Sequence, residues 1–209
     1  MLVKIKNYVH RWKYEFLRHK YSILFSLFLL ILSVVINYNA GKYVDSVASN
    51  TVSDIFIDNF GPVNLTWVFV YVWLIVVVLI FIYPLFFDVS KIHNVIIQFG
   101  FLNILRSLFI TLTHLKTPVS AIIVDFPGLL NAFAFQNDLF FSGHTAIPFL
   151  AFLVFKGHKI RYFFLVSSIL LALTVLLMHQ HYTIDVLGAY FITYGAFKLG
   201  NILLKSFNN

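Results

Sequence analysis

The sequence contains no cysteine, which excludes disulfide staples, a thiolate nucleophile and any thiolate-held metal. Charge is scarce as well: charged residues make up 11% of the 209 positions, against about 25% in ordinary soluble domains. Too few remain to cover a water-facing surface, so a soluble globular domain is excluded. Also missing is a pair of histidines four residues apart with a glutamate between them, the arrangement with which metalloprotease helices hold zinc.

What is abundant is apolar. Hydrophobic residues are 60% of the chain and aromatic residues 19%. Apolar runs near the roughly 20 residues needed to cross a hydrocarbon core recur with short connections between them. The sequence therefore predicts an all-α polytopic membrane protein. It has an amphipathic interfacial segment at residues 1–20, where Val3, Tyr8, Trp12, Phe16 and Leu17 alternate with bases, and one six-helix membrane domain at 21–205. The six transmembrane helices are expected at Tyr21–Asn39, Thr66–Phe87, Asn94–Leu112, Ser142–Phe155, Tyr162–Met178 and Ile184–Leu204. The first is read as retained rather than cleaved, because no small-x-small cleavage pattern follows Ile36. Between helices, Gly41–Leu65 reads as a polar segment with a short amphipathic piece, and Thr113–Asp138 as a re-entrant segment over an outer cavity.

The net charge of +7 is not a nucleic-acid signature here, because its placement follows the membrane. Lys4, Lys6, Arg11, Lys13, Arg18 and Lys20, opposed by Glu15 alone, precede the first apolar run; Lys156, Lys159 and Arg161 follow the fourth, and Lys198 and Lys205 close the last. Under the positive-inside rule these clusters share the cytoplasmic side, as do both termini. Anionic lipids are the expected partner of the N-terminal bases. The same count puts Ser142-Gly143-His144 and His181 through Asp185 together at the extracytoplasmic face.

Ionisable groups inside apolar surroundings need partners or a function. His181 and Asp185, four apart, share one helical face; the carboxylate can fix the imidazole's tautomer and leave its other nitrogen as a nucleophile, or the two can form a purely structural pair. His144 is either an interfacial histidine or an acid/base. Ser142 is a candidate N-cap, and backbone N–H groups at such a helix start attract anions. Arg106 clamps a phosphate or snorkels to headgroups. His114 and Lys116 follow it, and His179 reads as a boundary residue facing away from Asp185. A zinc site built from His144, His181, Asp185 and His114 is the weaker alternative, and no metal or cofactor is expected.

Two motifs carry a family resemblance. Asp138-Leu139-Phe140-Phe141-Ser142-Gly143-His144-Thr145 and His181-Tyr182-Thr183-Ile184-Asp185-Val186, continued by Ala189-Tyr190-Phe191-Ile192-Thr193, resemble the paired motifs of the sphingomyelin synthase branch of the type 2 phosphatidic acid phosphatase (PAP2) superfamily. The resemblance implies a six-helix PAP2-like bundle that moves phosphate-linked lipid headgroups through a phosphohistidine intermediate. It makes His181 the nucleophile, Asp185 its orienting carboxylate and His144 the acid/base, with Arg106, His114, Lys116, Asp138, Ser142, Gly143 and Tyr182 as the substrate- and phosphate-binding set. The sequence departs from the pattern at Gln136-Asn137, where the branch has cysteine-glycine. It departs again at Thr174, where the wider superfamily has arginine, and the superfamily's lysine-x6-arginine-proline motif is absent.

The expected activity is headgroup transfer from a membrane phospholipid donor to a lipid alcohol of diacylglycerol or ceramide type. The alternatives are a lipid phosphate phosphatase, with water as acceptor, and a non-catalytic lipid-binding or transport protein.

Overall fold

The computed structural model describes residues 12–207. Among them there is no strand, only a lone bridge between Asn50 and Leu115. Six apolar helices make the bundle: α1 Lys20–Val47, α2 Val68–Phe87, α3 Ile92–Leu112, α4 Gly143–Val154, α5 Arg161–Leu177 and α6 Thr183–Phe207. Residues 1–11 of the expected interfacial segment lie outside the described residues; 12–18 are helical and lead through a turn at His19 into α1.

Helix is the form these sequences take because lipid offers the backbone no hydrogen-bond partners, so each segment must satisfy its own N–H and C=O groups. α1 continues past its expected end at Asn39 to Val47. Its polar residues turn inward on the helix instead of ending it: Asn39 Nδ2 donates to Val35 O at 2.7 Å and Ser46 Oγ to Tyr43 O at 2.6 Å. α2 opens with a π-helical turn, Val68–Val72, and carries Pro84 in its last turn before Asp88. Gly157, at φ +95°, supplies the left-handed residue in the turn between α4 and α5.

Four helical stretches, Lys20–Val47, Val68–Phe87, Val89–Leu112 and Thr183–Leu204, are long and apolar enough to cross a membrane. α4 and α5 are shorter apolar helices, with 12 and 17 residues. At 1.5 Å per residue α4 rises only about 18 Å, well short of a hydrocarbon core of about 30 Å.

α1 lies along α3, α4 packs on α5 and α6, and α6 also meets α3. Lipid tails are as apolar as leucine, so association between such helices rests on close packing and inter-helix hydrogen bonds. Asn103 of α3 donates to the Ser33 carbonyl of α1 at 3.0 Å, and Gln98 of α3 to Asn201 of α6 at 3.1 Å. The largest buried cluster joins Val76 and Ile80 of α2, Phe99 and Leu102 of α3, Leu150 of α4 and Phe164 of α5.

One end of the bundle is braided by its connections. Val63 N–H donates to Leu177 O at 2.7 Å, Lys116 N–H to Asn50 O at 2.9 Å, Ile122 N–H to Met178 O at 3.1 Å, and Asn137 N–H to Asp45 Oδ1 at 2.8 Å. The segment from Thr113 to Asp138, coil with a 3-10 turn at Gly128–Phe133, therefore lies over this end and is tied to both neighbouring connections. At the opposite end Asp88 gathers His158 at 3.3 Å and Lys91 at 3.6 Å, joining the α2–α3 turn to the α4–α5 turn.

Candidate active site

Two helix starts meet at the braided end. The N–H of Ser142, just before α4, donates to the Asp185 carbonyl in the first turn of α6 at 3.2 Å. This single backbone bond brings the two sequence motifs together.

The four-residue spacing brings the pair together, but not on one helical face as expected: α6 begins at Thr183, and His181 lies two residues before it, with Asp185 reaching back from the first turn. His181 Nδ1 lies 3.4 Å from Asp185 Oδ2, with the aspartate fully buried and the histidine nearly so. The same Oδ2 accepts the Tyr182 N–H at 2.9 Å, the bond by which an acidic third residue closes a helix start. Asp185 Oδ1 is buried without a protein partner. With Nδ1 turned to the carboxylate, His181 keeps Nε2 as its second face.

His144 is the second residue of α4. Its ring stacks on Phe69 at 3.9 Å between centroids, with Trp73 at 5.2 Å and Phe126 at 6.5 Å around it. Phe69 lies in the π turn of α2. His144 Nε2 is buried and unpartnered, and the Ser142–Asp185 backbone bond sets the start of its helix against that of α6.

Arg106 reaches the same corner, already occupied. Its Nε donates to Phe141 O at 2.9 Å, and its Nη2 to Asp138 O at 2.6 Å and Asp138 Oδ2 at 2.9 Å. The guanidinium thereby braces the chain entering α4. Gly143 admits it: a Cβ there would stand 3.3 Å from Arg106 Nε. Ser142 occupies the N-cap position but makes no side-chain cap bond; instead its Oγ accepts from Thr145 Oγ1 at 3.2 Å. The expected serine cap is corrected accordingly, and the first N–H groups of α4 are left without it.

The remaining candidates lie further out. His114 is exposed, its Nε2 3.2 Å from Thr111 O and its ring edge-on to Tyr43. Lys116 contributes its carbonyl, which accepts the buried Tyr182 hydroxyl at 2.8 Å; that hydroxyl in turn accepts the Val52 N–H at 3.3 Å. His179 is buried at φ +56°, with Nδ1 2.6 Å from Ser120 Oγ and Nε2 unpartnered. Among the described residues no group of three or more His, Asp and Glu side chains has the geometry to hold a metal ion.

Several contributors lacked any sequence signal: Phe69, Trp73 and Phe126 around His144, and Asp54, which reaches Thr183 at the start of α6. Asp54 is outside the membrane-spanning segments. Its burial alone would raise the carboxyl, but N–H and O–H donors from Thr183, Ile57 and Phe56 hold it below its ordinary value. Tyr182 goes the other way, its phenol pushed up chiefly by burial. Beside Arg106 and Gly143 an apolar cavity of about 200 Å³ extends between α1, α2, α3 and α4, lined by Leu30, Trp73, Phe99 and Ile147 among others.

Fold and site together define a multi-pass helical membrane protein with an imidazole–carboxylate centre where two helix starts meet. Residues 137–202, which contain both motifs, match the family model for the PAP2 superfamily C-terminal region. Phosphatidylcholine:ceramide cholinephosphotransferase 2 of Rattus norvegicus and that of Mus musculus are each 41% identical to this chain over 63 residues, as is that of Homo sapiens. The similarity covers 27% of this chain and 17% of each relative's length. No solved structure matches the chain.

Proposed function

We propose that the protein is a lipid headgroup phosphotransferase. The observation that carries this reading is the buried His181–Asp185 pair, joined through the Ser142–Asp185 backbone bond to the helix start that bears the unpartnered imidazole nitrogen of His144, inside the segment that matches the PAP2 C-terminal model. His181 Nε2 attacks the phosphorus of a phospholipid donor, forming an N–P bond as the P–O bond to the diglyceride breaks. His144 supplies the proton that the leaving alkoxide needs. A lipid alcohol then attacks the phosphohistidine, His144 takes its proton, and the N–P bond breaks to free His181. Asp185 holds the Nδ1 proton and stabilises the charge that develops on the imidazole.

A diester donor and lipid acceptor fit the surroundings better than a phosphate monoester does. Thr174, where the wider superfamily carries arginine, is buried in α5 and hydrogen-bonded to Leu170 O, and Arg106 is already engaged by Asp138. A doubly charged monoester asks for more cations than this. The relatives' names, each a phosphatidylcholine:ceramide cholinephosphotransferase, support a phospholipid donor and a ceramide-like acceptor.

The proposed setting is a six-crossing domain at 21–205 with a basic interfacial segment at 1–20 on anionic lipid. Both termini lie in the cytoplasm and the His144–His181 site toward the outer leaflet. The support is the charge pattern: Lys156, Lys159 and Arg161 cluster at the end of the bundle opposite the site.

The test is mass spectrometry of lipids after incubating the purified protein with a mixed phospholipid pool, with and without ceramide and diacylglycerol. A labelled headgroup moving between lipids is the expected result. Acceptor-independent release of phosphate from a phosphatidic-acid-like lipid would replace transfer by hydrolysis. Absence of any headgroup transfer or hydrolysis by the native protein, with lipid binding unchanged in His144→Ala and His181→Ala variants, would point to a non-catalytic lipid-binding or transport protein.

A further inference from the structure

Asp54 sits in the connection between α1 and α2, outside the region of family similarity. Its carboxylate is buried and gathers four donors. Oδ1 accepts the N–H of Phe56 at 2.9 Å, the N–H of Ile57 at 3.2 Å and the hydroxyl of Thr183 at 2.8 Å; Oδ2 accepts the N–H of Thr183 at 2.7 Å. Its own N–H donates to Asp58 Oδ2 at 3.0 Å. Two of the four bonds fold the local segment, and the other two cross to the first residue of α6.

That residue is where a cap is needed. The first N–H groups of a helix have no partner within it, and the residue ahead of Thr183 is Tyr182, whose hydroxyl is engaged with Lys116 and Val52. Asp185 takes the Tyr182 N–H, and Asp54, from a distant part of the chain, takes that of Thr183. A carboxylate at this place also lies at the positive end of the helix dipole. Thr183 stands between His181 and Asp185, so fixing it fixes the turn on which the pair is mounted.

We infer that Asp54 is a positioning residue for His181: it caps α6 through Thr183 and so holds the turn that aims the imidazole. Touching neither lipid nor phosphorus, it acts only through the His181 turn. The assignment rests on the reading of His181 as nucleophile, but its geometric part is testable without any turnover.

The experiment uses the full chain in detergent and compares Asp54→Ala, Thr183→Val and Thr183→Ser with the native protein. Two readouts are taken beside the thermal midpoint: kcat and KM for headgroup transfer, and the rate of diethylpyrocarbonate labelling at His181 by peptide mass spectrometry, with exposed His114 as reference.

Asp54→Ala is expected to lower kcat about tenfold to a hundredfold at unchanged KM, the cost of misaiming a reacting group. It should also label faster at His181 but not at His114. Thr183→Val, which keeps only the N–H donor, should fall between Asp54→Ala and the native protein, and Thr183→Ser, which keeps both donors, should match the native protein. Native labelling and native kcat in Asp54→Ala would overturn the inference, as would Thr183→Ser behaving like Thr183→Val. If Asp54→Ala does not fold, the two Thr183 variants decide by the same criteria. If no lipid is turned over at all, faster His181 labelling still establishes the positioning while the proposed reaction fails.

Discussion

The backbone N–H of Ser142 donates to the carbonyl of Asp185 at 3.2 Å, so the start of α4 and the start of α6 are joined by main chain before any side chain acts. Because both partners are backbone, substitution of either side chain leaves this bond in place. Single variants of His144, His181 and Asp185 therefore test chemistry with little disturbance of the bundle.

Asp185→Asn is the sharpest of these. The buried Oδ2 accepts two donors, the Tyr182 N–H and the His181 Nδ1 side, so an amide oxygen at that place can keep both bonds but removes the negative charge that stabilises a positive imidazole. Headgroup transfer is expected to fall about 10²–10⁴-fold, the range for losing an acid–base contribution. Initial-rate measurements at saturating donor check this, with the thermal midpoint as control.

Arg106→Lys should act on stability first. A single ammonium cannot reproduce the fork that serves Phe141 O, Asp138 O and Asp138 Oδ2. A loss of about 2–3 kcal/mol is expected, the scale of a charged hydrogen bond left unmade, read as a lower denaturation midpoint in detergent. Gly143→Ala should weaken the same corner, because Arg106 Nε is held by Phe141 and cannot retreat from a new methyl group 3.3 Å away.

Asp54 sets an acid limit. Although burial raises its carboxyl, the Thr183, Ile57 and Phe56 donors outweigh that effect and hold the folded value below the ordinary one. A depressed folded pKa gives stability that is present above the unfolded value, about 4 for aspartate, and that is lost as pH falls from there through the folded value. The stability gap between native protein and Asp54→Asn should therefore be full at neutral pH and close below about pH 4. Thermal unfolding from pH 3 to 7 measures it.

The absence of cysteine makes sidedness directly measurable. Single cysteines placed at Ser53 and at Lys159 in a sealed membrane should react with an impermeant maleimide from opposite sides, Lys159 from the cytoplasm. Labelling of both from one side would refute the six-crossing arrangement.

The helices themselves were legible wherever a long apolar run had polar ends. α3, expected at Asn94–Leu112, is found at Ile92–Leu112, and α5, expected at Tyr162–Met178, at Arg161–Leu177. α1 outran its expected end because Asn39 and Ser46 bond back to their own helix, which composition does not reveal. The His181–Asp185 pair was readable because a separation of four residues is local, although a shared helical face is not how the two meet: His181 precedes α6, and Asp185 reaches back to it from the first turn. The Ser142 cap was not, since the side chain instead accepts from Thr145. Asp54 and Phe69 were invisible for a different reason: each meets the site only through tertiary packing, and nothing within a few residues of either marks it.

Tyr182 links the chain around Val52 to that around Lys116 directly beside His181, so protein covers this side of the site. Under the proposed function, a reactant then comes from the film itself. Turnover would follow the mole fraction of donor and acceptor in the micelle or bilayer rather than their amount per volume of buffer: adding an inert lipid slows the protein by dilution, and adding more vesicles of the same composition does not speed it.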